Sequence, residues 1–158
     1  MFTADTKFIT GSGKHIYFHE IPQRISDYLS DGYEYNINIG TDSQTNSLVK
    51  FVTAIGVHKI GKGGIFFYRQ LTTDKIHTLR DRIYAETTMS INCATELLEM
   101  FLSKDELIDI TIHCDIGTKG KTKELIKGIV GYVANSGFDC LIKPESPLAS
   151  CIADRFSK

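Results

Sequence analysis

The stretch that decides the fold is YNINIGTDSQ, residues 35–44. Apolar residues alternate with polar ones through Ile37 and Ile39, which is the pattern of a half-buried strand. The polar parity passes through Asn38 and ends in a carboxylate, Asp42. An aspartate at a strand end is most often a turn former, because its side chain accepts hydrogen bonds from nearby backbone N–H groups. The rest of the chain decides whether Asp42 is a turn residue or part of a site.

The bulk properties predict one globular domain covering residues 1–158. The chain is 42% hydrophobic and 23% charged, and its net charge is −1. This composition is that of an ordinary globular protein with a real core. Residues 1–17 are weakly patterned, and we expect them to be partly loose. The near-zero net charge provides no general attraction to polyanions, so a nucleic-acid partner has to be held by a local basic patch or by metal ions.

The cysteine pattern and the lack of long apolar runs predict a cytoplasmic protein without a membrane partner. The four cysteines are widely spaced and include no C-x-x-C pair. That is typical of small buried side chains in a reducing compartment, and not of a disulfide framework or a zinc site. No apolar segment has the length of a signal-peptide core at the N-terminus or of a membrane span elsewhere.

The order of predicted elements is a short helix followed by βββ-α-β-α-β-α. Turn-rich links between the first three strands favour an antiparallel meander. The strand–helix–strand units that follow favour right-handed crossovers and parallel strands, so we expect a mixed sheet flanked by helices. The first predicted strand ends near residue 42, and the other four cover 51–60, 65–72, 107–115 and 138–146. The predicted helices cover 19–32, 78–103, 117–137 and 146–158.

Two more acids stand in unusual positions. The fourth predicted strand ends in Asp115, so two strands carry an acid at the carboxyl end, the edge where open α/β sheets bind ligands. Glu86 lies on the buried line of the long helix, three residues after Ile83 and four before Ser90. A buried carboxylate without a partner is expensive, so Glu86 must have one.

The last predicted helix adds a fourth acid, Asp154, on a face of small side chains that can lie close to the sheet edge. Each acid taken alone is most simply a turn former, a cap or a surface charge. Four converging carboxylates would repel one another, at about 1 kcal/mol per pair at about 4 Å in water and about 4 kcal/mol at an effective dielectric near 20. Mg²⁺ or Mn²⁺ relieves this repulsion, and two such ions about 4 Å apart support in-line displacement at phosphorus.

Five strings of the sequence resemble the YkuK-like family of the ribonuclease-H-like superfamily. They are GTDSQ (40–44), FVTAI (51–55), GKGGIFFY (61–68), DIGTKGKTKELIKGIVGYV (115–133) and KPESPLASCIAD (143–154). The resemblance runs from about residue 21 to the C-terminus. It implies an α/β fold, a ribonuclease-H-like mixed five-stranded sheet of order 3-2-1-4-5 flanked by helices. It also implies that the metal ligands and catalytic residues are Asp42, Glu86, Asp115 and Asp154.

The segment GTKGKT, residues 117–122, follows a strand and opens a helix as a phosphate-binding P-loop does. Asp115 stands where the first glycine of that motif belongs, and its charge would oppose phosphate, so we do not expect a nucleotide site. Lys119 and Lys121 are either a solvated loop or contacts to a phosphate backbone. Ser43 and Gln44 either cap the turn after the first strand or donate to phosphate.

The function that the sequence predicts is hydrolysis of nucleic-acid phosphodiester bonds by a two-metal carboxylate site holding Mg²⁺ or Mn²⁺. The alternative is a ribonuclease-H-like module that binds nucleic acid or protein without catalysis, since a fold alone does not guarantee an activity. The four acids argue against the alternative, because clustered negative charge does not help a pure binder of phosphates.

Overall fold

A computed structural model describes residues 2–74 and 78–143 of the chain. One mixed sheet forms its centre, and a 24-residue helix is its longest element. The strands are β1 (Lys7–Thr10), β2 (His15–Tyr17), β3 (Tyr35–Thr45), β4 (Val49–Lys59), β5 (Gly63–Thr73), β6 (Ile110–His113) and β7 (Asp139–Leu141), and the α-helices are α1 (Ile21–Tyr28), α2 (Leu79–Leu102) and α3 (Ile126–Asn135). Short 3₁₀ turns precede α1 and α3.

The sheet has the strand order β2-β1-β5-β4-β3-β6-β7. Strands β3 to β7 are the five predicted strands, and their order within the sheet is the predicted 3-2-1-4-5. The predicted end of the first strand near residue 42 is wrong, because β3 stays paired with β4 as far as Thr45. The β3–β4 and β4–β5 pairs are antiparallel over eleven residues in each strand, which confirms the meander. The β3–β6 and β6–β7 pairs are parallel, as helical crossovers require. The predicted fold class is confirmed.

The prediction that residues 1–17 are partly loose is wrong. This segment forms β1 and β2, and β1 pairs with β5 and so extends the sheet to seven strands. Phe8 is fully buried, and it packs with Phe2 and Phe18 in one aromatic cluster with ring centroids 4.9 to 6.1 Å apart. Buried aromatic area of this kind anchors a short strand whose own hydrogen bonds are few.

The predicted bounds of the long helix and its predicted buried face are confirmed. The Thr78 side chain caps its first turn by accepting a hydrogen bond from the Asp81 N–H at 3.1 Å. Ile83, Leu97 and Phe101 are buried against the sheet together with Glu86. The face of β3 that carries Ile37 and Ile39 packs beneath this helix, and both side chains are at most 1% exposed.

The parallel strands β6 and β7 are shorter than predicted, with four and three residues. The predicted helix at 146–158, and with it Asp154, lies outside the described residues. No helix within residues 2–74 and 78–143 is both long and apolar enough to cross a membrane.

Candidate functional site

The site is centred on Asp42 and Asp115, which the parallel pairing of β3 and β6 brings side by side. Gly40 and His113 lie opposite each other in the β3–β6 pair. Asp42 follows Gly40 by two residues, and Asp115 follows His113 by two residues. The two side chains therefore share a parity as well as a sheet edge. They are close enough for the charge of Asp115 to raise the pKa of Asp42.

Burial and mutual repulsion change the acidity of Asp42. Burial raises its pKa to about 6, and the charge of Asp115 acts in the same direction. The Ser43 backbone N–H opposes the shift, because it donates to Asp42 Oδ1 at 2.8 Å. Partly buried carboxyl groups with a raised pKa and a charged neighbour are common at functional sites.

Glu86 lies near this pair, on α2 where that helix covers β3. It is 5% exposed, and burial raises the pKa of its carboxyl group well above the usual value, with the charges of Asp42 and Asp115 adding to the effect. The partner that the sequence required is Ser43, whose hydroxyl donates to Glu86 Oε2 at 2.5 Å. The prediction of a buried, partnered glutamate at this position of α2 is thus confirmed.

We expect Ser43→Ala to lower the free energy of unfolding by about 1–2 kcal/mol, because it leaves the buried Glu86 carboxyl group without its hydroxyl donor. Urea unfolding followed by circular dichroism measures this change. Ser47→Ala is the matched control, since Ser47 lies exposed in the turn after β3 and its replacement should stay within about 0.5 kcal/mol. Equal stability of the two variants would show that the Ser43–Glu86 hydrogen bond contributes nothing.

Two basic residues of the site were missed in the sequence. The Lys143 ammonium forms an ion pair with Asp115 Oδ1 at 2.8 Å, and Arg82 Nη1 lies 3.5 Å from the Ser43 hydroxyl oxygen. Both have a signal that could have found them. Lys143 follows β7 by two residues, the position that Asp115 holds after β6, and Arg82 lies one helical turn before Glu86 on α2.

The predicted substrate-binding residues differ in their exposure to solvent. Ser43 is 9% exposed and engaged by Glu86, whereas Gln44 beside it is half-buried. Lys119 and Lys121 are exposed on the loop that follows Asp115. The Gly117 N–H donates to the Thr122 hydroxyl at 3.1 Å and closes this loop. A P-loop stays excluded, because a carboxylate stands at its entrance.

His113 ends β6, two residues before Asp115. It is 4% exposed, and burial lowers its pKa to about 4. At neutral pH the imidazole is therefore uncharged, and the site has no third cation from this residue.

Comparison with known proteins identifies the family of the chain. The chain matches the family described as ribonuclease H-like over residues 19–158. The chain belongs to that family. It is 34% identical over 156 residues to the uncharacterized protein YkuK of Bacillus subtilis (strain 168), with 89% of this chain and 91% of that protein covered. The chain is thus a YkuK-like member of the ribonuclease-H-like proteins. No solved structure matches it.

Mg²⁺ and Mn²⁺ are common in the ribonuclease-H-like family, and the donor set of this member has the right chemistry for them. Asp42, Glu86 and Asp115 supply hard carboxylate oxygens, the ligands that these ions prefer. Within residues 2–74 and 78–143, however, no three His, Cys, Asp or Glu side chains converge closely enough to hold an ion. The reason is visible in the partners: Glu86 is turned to Ser43 and Asp115 to Lys143. The described site is therefore the carboxylate pair of Asp42 and Asp115, with the third carboxyl group, that of Glu86, hydrogen-bonded to Ser43.

Proposed function

We propose that this chain is a Mg²⁺- or Mn²⁺-dependent nuclease that hydrolyses phosphodiester bonds of nucleic acid. The observation that carries the proposal is the pair of neighbouring carboxyl groups, Asp42 and Asp115, just beyond the carboxyl end of the parallel pairing between β3 and β6. Ligands of open α/β sheets bind at that edge. The raised pKa of Asp42 supports the proposal, since burial and then the negative charge of Asp115 raise it, and a bound cation would offset both.

In this proposal Asp42 and Asp115 hold the metal, and Glu86 and Asp154 complete the ligand set. A bound divalent ion supplies charge stabilisation at phosphorus and an activated water. Asp42 and Asp115 would fix where that charge sits, because Asp42 lies within β3 and Asp115 follows β6 by two residues. Glu86 reaches the pair if its carboxyl group exchanges the Ser43 hydroxyl for the cation.

The substrate in this proposal is a phosphate backbone, contacted by Gln44 and by the exposed loop lysines, Lys119 and Lys121. The loop follows Asp115 directly, so its positive charge stands beside the negative pair. Basic contacts of this kind position a backbone without reading its sequence. We further propose a cytoplasmic location, which is consistent with Cys93, Cys114 and Cys140 forming no disulfide.

Thermal melts with and without Mn²⁺ test the metal site. A metal at about a hundred times its dissociation constant stabilises the folded protein by about 2.7 kcal/mol, which is a shift on the order of 5–10 °C in a domain of this size. Asp115→Asn should lose most of the shift. Asp139→Asn is the matched control, because Asp139 is exposed at the start of β7, the other end of the parallel strands. If Mn²⁺ moves neither the wild type nor the control, the metal site is refuted.

Cleavage assays with Mn²⁺ on RNA, DNA and an RNA–DNA hybrid then test the reaction. The alternative function, a binding module without catalysis, is favoured by one observation: the described residues hold Glu86 and Asp115 on protein partners and bring no three metal-binding side chains together. Cleavage of any of the three substrates that requires Mn²⁺ and Asp115 supports the nuclease. Binding of nucleic acid without cleavage of any of them supports the module.

A further inference from the structure

Lys143 is a residue of the site for which the sequence suggested no role. Its ammonium lies 2.8 Å from Asp115 Oδ1, and its side chain is 54% exposed where that of Asp115 is 19% exposed. The pair therefore joins a solvent-facing cation to a carboxylate that is largely enclosed. An exposed ion pair of this kind is weak and exchanges easily.

The main chain of Lys143 is held firmly, although its side chain reaches solvent. The Lys143 N–H donates to the Ile116 carbonyl at 2.8 Å and ties the end of β7 to the segment after β6. Gly117 makes this approach possible, because a Cβ at that position would lie 3.0 Å from the Lys143 Cβ. The base of the side chain is thus fixed beside the carboxylate pair, and only the four-carbon stem is left to move.

Lys143 and a divalent cation compete for the same oxygen atoms. The ammonium is a compact point charge, and it feels Asp115 first, then Asp42 and Glu86. A divalent cation on Asp115 repels the ammonium and offers that carboxylate twice its charge. Once displaced, the ammonium remains tethered within a side chain's length of the metal, where the phosphate of a bound nucleic acid would be its nearest anion.

We propose that Lys143 is a substrate-binding residue that exchanges partners: its ammonium holds Asp115 in the metal-free protein and contacts a substrate phosphate when metal occupies that carboxylate. The proposal rests on the proposed nuclease function and adds a residue to it. It gives one side chain two opposed effects, since Lys143 weakens metal binding and strengthens nucleic-acid binding. A merely structural lysine would have neither effect.

Calorimetric titration with Mn²⁺ tests the first effect on the full chain. We expect Lys143→Gln to bind Mn²⁺ about two- to fivefold more tightly than the wild type, the range that corresponds to losing one exposed ion pair. Lys143→Arg keeps the charge and should bind as the wild type does. Lys104→Gln is the control, because Lys104 is exposed beyond the far end of α2. Thermal melts verify that each variant is folded.

Fluorescence anisotropy with labelled RNA, DNA and hybrid in Mn²⁺ buffer tests the second effect. Lys143→Gln should weaken binding of whichever substrate the wild type binds. It should also lower the slope of log affinity against log salt by about 0.7–0.9, the loss of one phosphate contact. Lys104→Gln should leave the slope unchanged.

The outcomes separate this inference from the proposed function. No Mn²⁺ binding by the wild type refutes the metal site itself. Mn²⁺ binding by the wild type with equal or weaker binding by Lys143→Gln overturns the exchange of partners and leaves the metal site standing. Tighter Mn²⁺ binding with an unchanged salt slope overturns the phosphate contact.

Discussion

Asp42→Asn should lower the rate of Mn²⁺-dependent nucleic-acid cleavage by about a thousandfold. Metal ions supply several kcal/mol of transition-state stabilisation, and each 1.36 kcal/mol is tenfold in rate. Asp42 belongs to the carboxylate pair that we propose as the metal ligands, and asparagine keeps its shape while removing the charge. The Ser43 N–H that donates to Asp42 Oδ1 can still donate to the amide oxygen, so this local hydrogen bond within β3 is kept.

The measurement is initial cleavage rate at saturating Mn²⁺, on whichever substrate the wild type cuts. Asp139→Asn, which makes the same substitution on an exposed residue of β7, should retain the wild-type rate. A folded Asp42→Asn protein that cuts as fast as the wild type would remove Asp42 from the mechanism.

The second prediction concerns the metal-free protein, whose stability should contain a component that falls as pH rises from about 4 to about 6. Burial, followed by the charge of Asp115, raises the pKa of Asp42 from 3.8 to about 6. The folded state therefore binds this proton more tightly than the unfolded state. The contribution is fully present below the unfolded pKa, and it is lost as pH rises through the folded pKa. At 1.36 kcal/mol per unit, the loss is up to about 3 kcal/mol.

Urea unfolding in a chelating buffer between pH 4 and pH 7 measures this component as a difference between two proteins. Asp42→Asn should be more stable than the wild type at pH 7, and the difference should shrink toward pH 4. The difference is the proper readout, because other acids have the opposite dependence: the ion pair with Lys59 lowers the pKa of Asp31. A constant difference across the range, or a less stable Asp42→Asn at pH 7, would show that Asp42 serves as a turn cap.

The same comparison bears on how the site is built. Asp115 is a less clean probe of charge repulsion than Asp42, because its replacement also breaks the ion pair with Lys143. That lysine partly neutralises the pair of acids in the metal-free protein. Among the contacts described for it, Asp42 accepts only a local backbone hydrogen bond. Its negative charge is therefore less neutralised than that of Asp115, which is paired with Lys143.

The sequence by itself determined the parts of this protein that depend on local periodicity. Alternation through Ile37 and Ile39 fixed β3, and the spacing of apolar residues fixed α2 and placed Glu86 on its buried face. Links too short for anything but hairpins fixed the meander, and helical crossovers fixed the parallel strands. From these followed the neighbourhood of Asp42 and Asp115, because parallel strands end at one edge of a sheet.

Only the tertiary structure decided the features that depend on partners distant in the chain. Strands β1 and β2 are too short to give a periodic signal, and pairing with β5 and burial of Phe8 make them part of the sheet. The partner of Glu86 was undecided among all nearby polar groups until folding placed Ser43 beneath it, 43 positions away in sequence. Lys143 reached Asp115 for the same reason. Periodicity specifies which face of an element is buried, but it carries no information about which side chain of another element will meet a given atom there, and that meeting sets the charge and acidity of the site.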